Sequence, residues 1–191
     1  MYDTPACAAC DDLELPETTN NCVPEQNESE ICYLFVSIPD PSNPNIPAIT
    51  SPDFSSPTVA ATFTAPEGAM LRVIGDLPEP EDNQRVVSLG QTVPGKKNFA
   101  PNFTIDDTSD ENYEFLRTLE CAPNIFIWWM TLGGKVYGDP ANGIPATVSK
   151  ANAPLDRGQG NYERFEVTTT WRAKGHPPRQ NGWLYENDTP T

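Results

Sequence analysis

Residues 162–173 form the clearest alternating run in the chain. Phe165, Val167, Thr169, Trp171 and Ala173 fall on one side, and Arg164, Glu166, Thr168, Thr170 and Arg172 on the other. A period of two belongs to an extended chain with one face on a core and the other in water, and no helix accommodates it. Residues 162–173, all extended, reach about 40 Å. A strand of that length needs a sheet around it. The run Ile125–Leu132 is the most β-prone in the chain and is apolar at successive positions, which predicts burial on both faces. Gly133-Gly134 and then Lys135-Val136-Tyr137 follow it and predict a hairpin. Ile31–Ile38 is apolar on both faces too and reads as a central strand.

Shorter strands are predicted at 58–64, 70–74, 85–89, 102–105 and 144–148. Between the first two strong segments, Pro39, Pro41, Pro44 and Pro47 predict a loop or extended connection, and a polar loop is expected at Asp156–Asn161. One helix is expected, at about 108–120. Thr108-Ser109-Asp110-Glu111 has the form of a capping box, and Asp107, Asp110 and Glu111 suit the positive end of a helix dipole. Tyr113, Phe115, Leu116, Leu119 and Glu120 give it a face, and Pro123 ends it. Cys121, at its end, reads as a small core residue. The fold class is therefore mainly β: an antiparallel β-sandwich or barrel with one flanking α-helix and an irregular N-terminal arm. The expected divisions are an acidic, Cys/Pro-rich arm over 1–57 holding one strand at 31–38, a β domain over 58–175, and an irregular tail over 176–191.

Charge narrows the function. The chain has 191 residues and a net charge of −15; residues 1–120 hold 21 acids against 5 bases, and residues 121–191 hold 6 against 7. A surface of that sign repels phosphates and anionic lipid, which disfavours nucleic-acid and membrane binding. It either keeps the protein in solution or lines a surface past which DNA slides without sticking. The start Met1-Tyr2-Asp3-Thr4-Pro5 has no leader-like character, and no run approaches the length of a membrane span, so a chain made in the cytoplasm is expected.

Cys7, Cys10, Cys22 and Cys32 fall as C-x2-C-x11-C-x9-C. The first pair has metal-ligand spacing, and four thiolates would satisfy a structural zinc; disulfides and ordinary thiols are the alternatives. No other cofactor is expected. The remaining motifs carry no chemistry. His176 is the single histidine and reads as an exposed tail residue. Gly90–Lys97 imitates a phosphate loop, but Lys97 stands where a hydroxyl should hold magnesium, and Phe99-Ala100-Pro101 follows instead of a helix. Asp106, Asp107 and Asp110 read as helix N-terminal charge, and the sequons at Asn27, Asn102 and Asn187 as background in a chain without a leader. No enzyme is expected. Of Trp128 and Trp129, adjacent in a strand, only one can face the core; the other faces a second layer, a helix or a neighbouring subunit, and the subunit is preferred.

The order of these segments resembles a bacteriophage tail tube protein, or a related ring-forming protein of tail or neck. The resemblance lies in the strand and capped helix over Thr104–Leu119 with Asn112-Tyr113-Glu114-Phe115-Leu116, the hairpin Ile125–Gly138, Gly143-Ile144-Pro145-Ala146, and the strand Tyr162–Arg172. It covers residues 58–175; the cysteine arm and the proline-rich connection lie outside it. It implies a β-sandwich or barrel with a flanking helix and a location in the virion, assembled in the host cytoplasm. The implied partners are other copies in rings (hexamers by family analogy), other virion proteins, and DNA that passes without specific binding during ejection. Trp128, Trp129, Arg164 and Arg172 are the expected interface residues. The alternatives are a capsid decoration or head-fibre protein, and a secreted, disulfide-bearing binding module.

Overall fold

The computed structural model describes residues 30–49, 54, 67–81, 84–86, 92–121, 124–152 and 164–182. The strands are β1 (Ile31–Ser37), β2 (Pro39–Asp40), β3 (Asn43–Pro47), β4 (Gly68–Asp76), β5 (Gln84–Val86), β6 (Thr92–Pro94), β7 (Lys97–Phe99) and β8 (Asn102–Ile105). After the helix α1 (Asp110–Cys121) come β9 (Asn124–Thr131), β10 (Lys135–Tyr137), β11 (Ile144–Asn152), β12 (Phe165–Ala173) and β13 (Arg179–Asn181).

Six strands close into an antiparallel barrel in the order β1-β4-β8-β12-β11-β9, with β9 returning to β1. Closure rests on β1, which pairs with β4 through Ile31↔Gly75 to Ser37↔Gly68 and with β9 through Ile31↔Thr131 to Ser37↔Phe126. β1 lies within the segment 1–57 and pairs with the barrel strands β4 and β9. The alternation of β12 is realised as expected: Phe165, Val167, Thr169 and Trp171 are buried, and Arg164 and Arg172 are exposed.

The interior holds Leu34, Leu71, Phe103, Ile127, Trp129 and Val167 among others, with Leu116 and Leu119 of α1 packed into the same cluster. Each such side chain, fully buried, contributes about 1.5–3 kcal/mol. A second apolar layer lies outside the barrel, on the other face of β1 and β9: Phe35, Phe126, Trp128 and Met130 meet Ile49, Phe54 and Val136. This explains the unbroken apolar runs Leu34-Phe35-Val36 of β1 and Ile125–Met130 of β9. Each strand is a barrel stave whose outer face packs against the chain's own Ile49, Phe54 and Val136.

Several local expectations are corrected. The proline-rich connection contains a β2–β3 hairpin, turned by Asp40, whose Oδ1 accepts the N–H groups of Ser42 (2.6 Å) and Asn43 (3.2 Å). Proline is tolerated there because so short a ladder asks for few donors. The hairpin is tied down at buried Ser37, whose Oγ accepts the Ile49 N–H at 3.1 Å. Helix α1 starts at Asp110: the Ser109 carbonyl accepts the Tyr113 N–H at 3.0 Å, and Asp107 Oδ1 accepts the Ser109 N–H at 3.1 Å, so the cap is Ser109 and not Thr108. Cys121 is exposed, because the buried stripe of α1 runs through Leu116 and Leu119. β11 extends to Asn152, and the tail is not wholly irregular, since β13 adds to β10. The strand expected at 58–64 and the loop at 156–161 lie outside the described residues.

Candidate assembly surface

Closure leaves the barrel with two unlike outer faces. The β1–β9 side carries the second apolar layer. The β4–β8–β12–β11 side keeps a polar exterior of Asn102 and Thr104, Glu166, Thr168 and Thr170, and Thr147 and Ser149, all exposed or half-buried. Its side chains are ordered across the strands: Thr168 Oγ1 lies 2.7 Å from Asn102 Oδ1, and Lys150 Nζ donates to Glu166 Oε2 at 2.8 Å. The Lys150 hydrogen bond, with the charges of Lys150 and Arg164 behind it, holds the Glu166 carboxyl below the usual glutamate range. Arg164 reaches the same carboxylate only at 3.9 Å and stays about half exposed. Arg172 is exposed farther along β12 and makes no ion pair among the described residues.

The two tryptophans are placed otherwise than expected. They do face opposite ways, but Trp129 is 1% exposed inside the barrel and Trp128 is 0% exposed in the outer layer. Trp128 sits 6.2 Å from the Phe54 ring, and its Nε1–H donates to the Asp139 carbonyl at 2.8 Å. The second layer is this chain's own, so neither ring is available to a neighbour.

Of the four cysteines, Cys7, Cys10 and Cys22 lie outside the described residues. Cys32 is a half-buried free thiol whose Sγ lies 3.4 Å from the Met130 carbonyl, and burial pushes its pKa up. Among the described residues no His, Cys, Asp and Glu side chains gather into a metal-holding group. His176 is exposed and meets only the edge of the Phe99 ring at 5.5 Å. The phosphate-loop imitation runs through β6 into β7, which is strand where a phosphate site needs a helix start. No described helix is long and apolar enough to cross a membrane.

What the sequence missed are Ile74 and Leu132. They are 52% and 41% exposed and line one cleft together with Glu30, Arg72 and Asp106. The signal for Ile74 was present: in β4 it falls out of phase with Leu71 and Val73.

No protein-family model and no curated protein matches the chain. Among solved structures, a chain of the virion of a native gene transfer agent particle is similar over 57% of this chain and 81% of that one, at 10% identity and a TM-score of 0.33. A crystal structure of an Hcp protein is similar over 79% of this chain and 99% of that one, at 13% identity and a TM-score of 0.28.

Proposed function

We propose that this protein is a structural subunit that assembles with copies of itself, as in a phage tail tube or neck ring, and catalyses no reaction. The observation that carries the reading is the closed antiparallel barrel with helix α1 packed against it, in the element order that the tail tube resemblance requires. The charge distribution supports it: a chain at −15 repels DNA, as the wall of a DNA conduit must, while its near-neutral last third can meet the acidic part of a neighbour. Arg164 and Arg172, exposed on the outward face of β12, are the contact residues in this reading, and the polar β4–β8–β12–β11 face is the surface between subunits. Hexamers, passage of DNA and a place in the virion belong to the same proposal.

Sedimentation velocity with negative-stain microscopy of the purified full-length protein tests it. Rings or tubes enclosing a channel are expected. Trimers without a channel favour the capsid decoration reading, and a monomer at high concentration overturns self-assembly.

A further inference from the structure

Two clefts beside the start of β1 meet at Glu30 and Ile74. One runs over the outer face of β4, past Asp106 and Leu132. The other opens at the end of the barrel beside Asp76. Two independent features mark this surface.

The first is apolar. Ile74 and Leu132 are two of the three large hydrophobic side chains left exposed among the described residues, and both line the same cleft. Neither can readily turn away. The Leu132 N–H donates to the Glu30 carbonyl at 2.9 Å, and Ile74 is fixed opposite Thr104 by the β4–β8 pairing. Exposed apolar side chains gathered in one concave place mark an interaction site more than scattered ones do.

The second is charge. Glu30, Asp76 and Asp106 line the joined clefts and make no ion pair among the described residues. Arg72 lines the same cleft, but with Asp107 the carboxylates outnumber it; an acidic surface around apolar anchors fits a partner offering arginine or lysine, whose long stems cover the apolar part while the head groups meet the acids. This chain carries the complement. Arg172 is exposed and without an ion pair, and Arg164 holds only a 3.9 Å contact, both on the outward face of β12.

We propose that the cleft is the acceptor surface for a second copy of this chain, which fills it with the arginines of β12; the inference rests on the self-assembly reading above. Ile74, Thr104 and Glu166 fall in one cross-strand row, so the cleft and the arginines share one outer face and two copies meet through it face to face. Ile74 and Leu132 supply the affinity, and the charges set register and partner choice.

The test uses full-length protein, with circular dichroism to show each variant folded and sedimentation velocity to measure assembly. Ile74→Asp and, separately, Leu132→Asp are expected to weaken assembly by about tenfold or more. Reversing the cleft (Glu30→Lys with Asp76→Lys) or the strand (Arg164→Glu with Arg172→Glu) is expected to abolish it, and mixing the two reversed proteins to restore it. The cleft reversal makes the chain less negative and so lowers general self-repulsion; lost assembly there reports the specific contact. If the wild type assembles while both aspartate variants assemble equally well, or if the mixture does not recover, the cleft is not the acceptor and self-assembly stands without it. A monomeric wild type overturns both.

Discussion

Trp128 shows how one residue fixes its surroundings. The Asp139 carbonyl accepts both its indole N–H and the Gly143 N–H at 2.8 Å, while Asp139 Oδ1 accepts the N–H groups of Ala141 and Asn142 at 3.0 and 2.7 Å. Gly143 closes this turn at φ +65°, and a Cβ there would lie 2.7 Å from the Trp128 ring. Gly143→Ala therefore meets backbone strain and overpacking together and is expected to cost about 2–4 kcal/mol in urea unfolding. A cost below about 0.5 kcal/mol, the level of an ordinary surface change, would show that the turn is not pressed against the ring. The sequence marked Gly143 only as the start of a strand, because the atom that excludes a side chain belongs to β9. For the same reason one of the two adjacent tryptophans read as an interface anchor: what covers Trp128 is Phe54, distant in sequence and from a segment without strand or helix pattern.

Legibility at the scale of elements followed burial. β12 was plain because it is buried on one face only, so its sequence prints the alternation. β13, Arg179–Asn181, has no apolar residue and exists because β10 offers an edge; no local signal could announce it. β2 and β3 were hidden by their prolines. On the outer face of β11 and β12, the Lys150–Glu166 pair makes the ladder pH-dependent. The folded-state pKa of Glu166 is lowered, so its contribution is complete above the unfolded glutamate pKa and disappears as pH falls through the folded value. Glu166→Gln is expected to cost about 0.5 kcal/mol at pH 7, as for an exposed pair, and nothing at a pH below both pKa values. Chemical denaturation at the two pH values checks this; an equal cost at both would mean that the ion pair contributes nothing.

For the whole molecule, closure is the decisive event. β1 is the only described strand that joins β4 to β9. A chain beginning at Thr58 lacks it, leaves both neighbours with open edges, and uncovers interior positions such as Trp129 and Leu71. Such a truncation is expected to lose the near-ultraviolet circular dichroism of packed aromatics and to aggregate. A monomeric fragment with cooperative unfolding would show instead that the boundary at residue 57 is a real one.

By itself the sequence determined the fold class, most of the described strands, the helix α1 and the inward face of β12. These follow from local periodicity and capping chemistry, which act between residues a few positions apart. Tertiary structure alone decided that the sheet closes, that β1 is a stave, that the second tryptophan is covered from within, and that Ile74 and Leu132 share a cleft with Glu30 and Asp106. Each of these depends on which distant segments meet, and a pattern along one strand carries no record of what lies across from it.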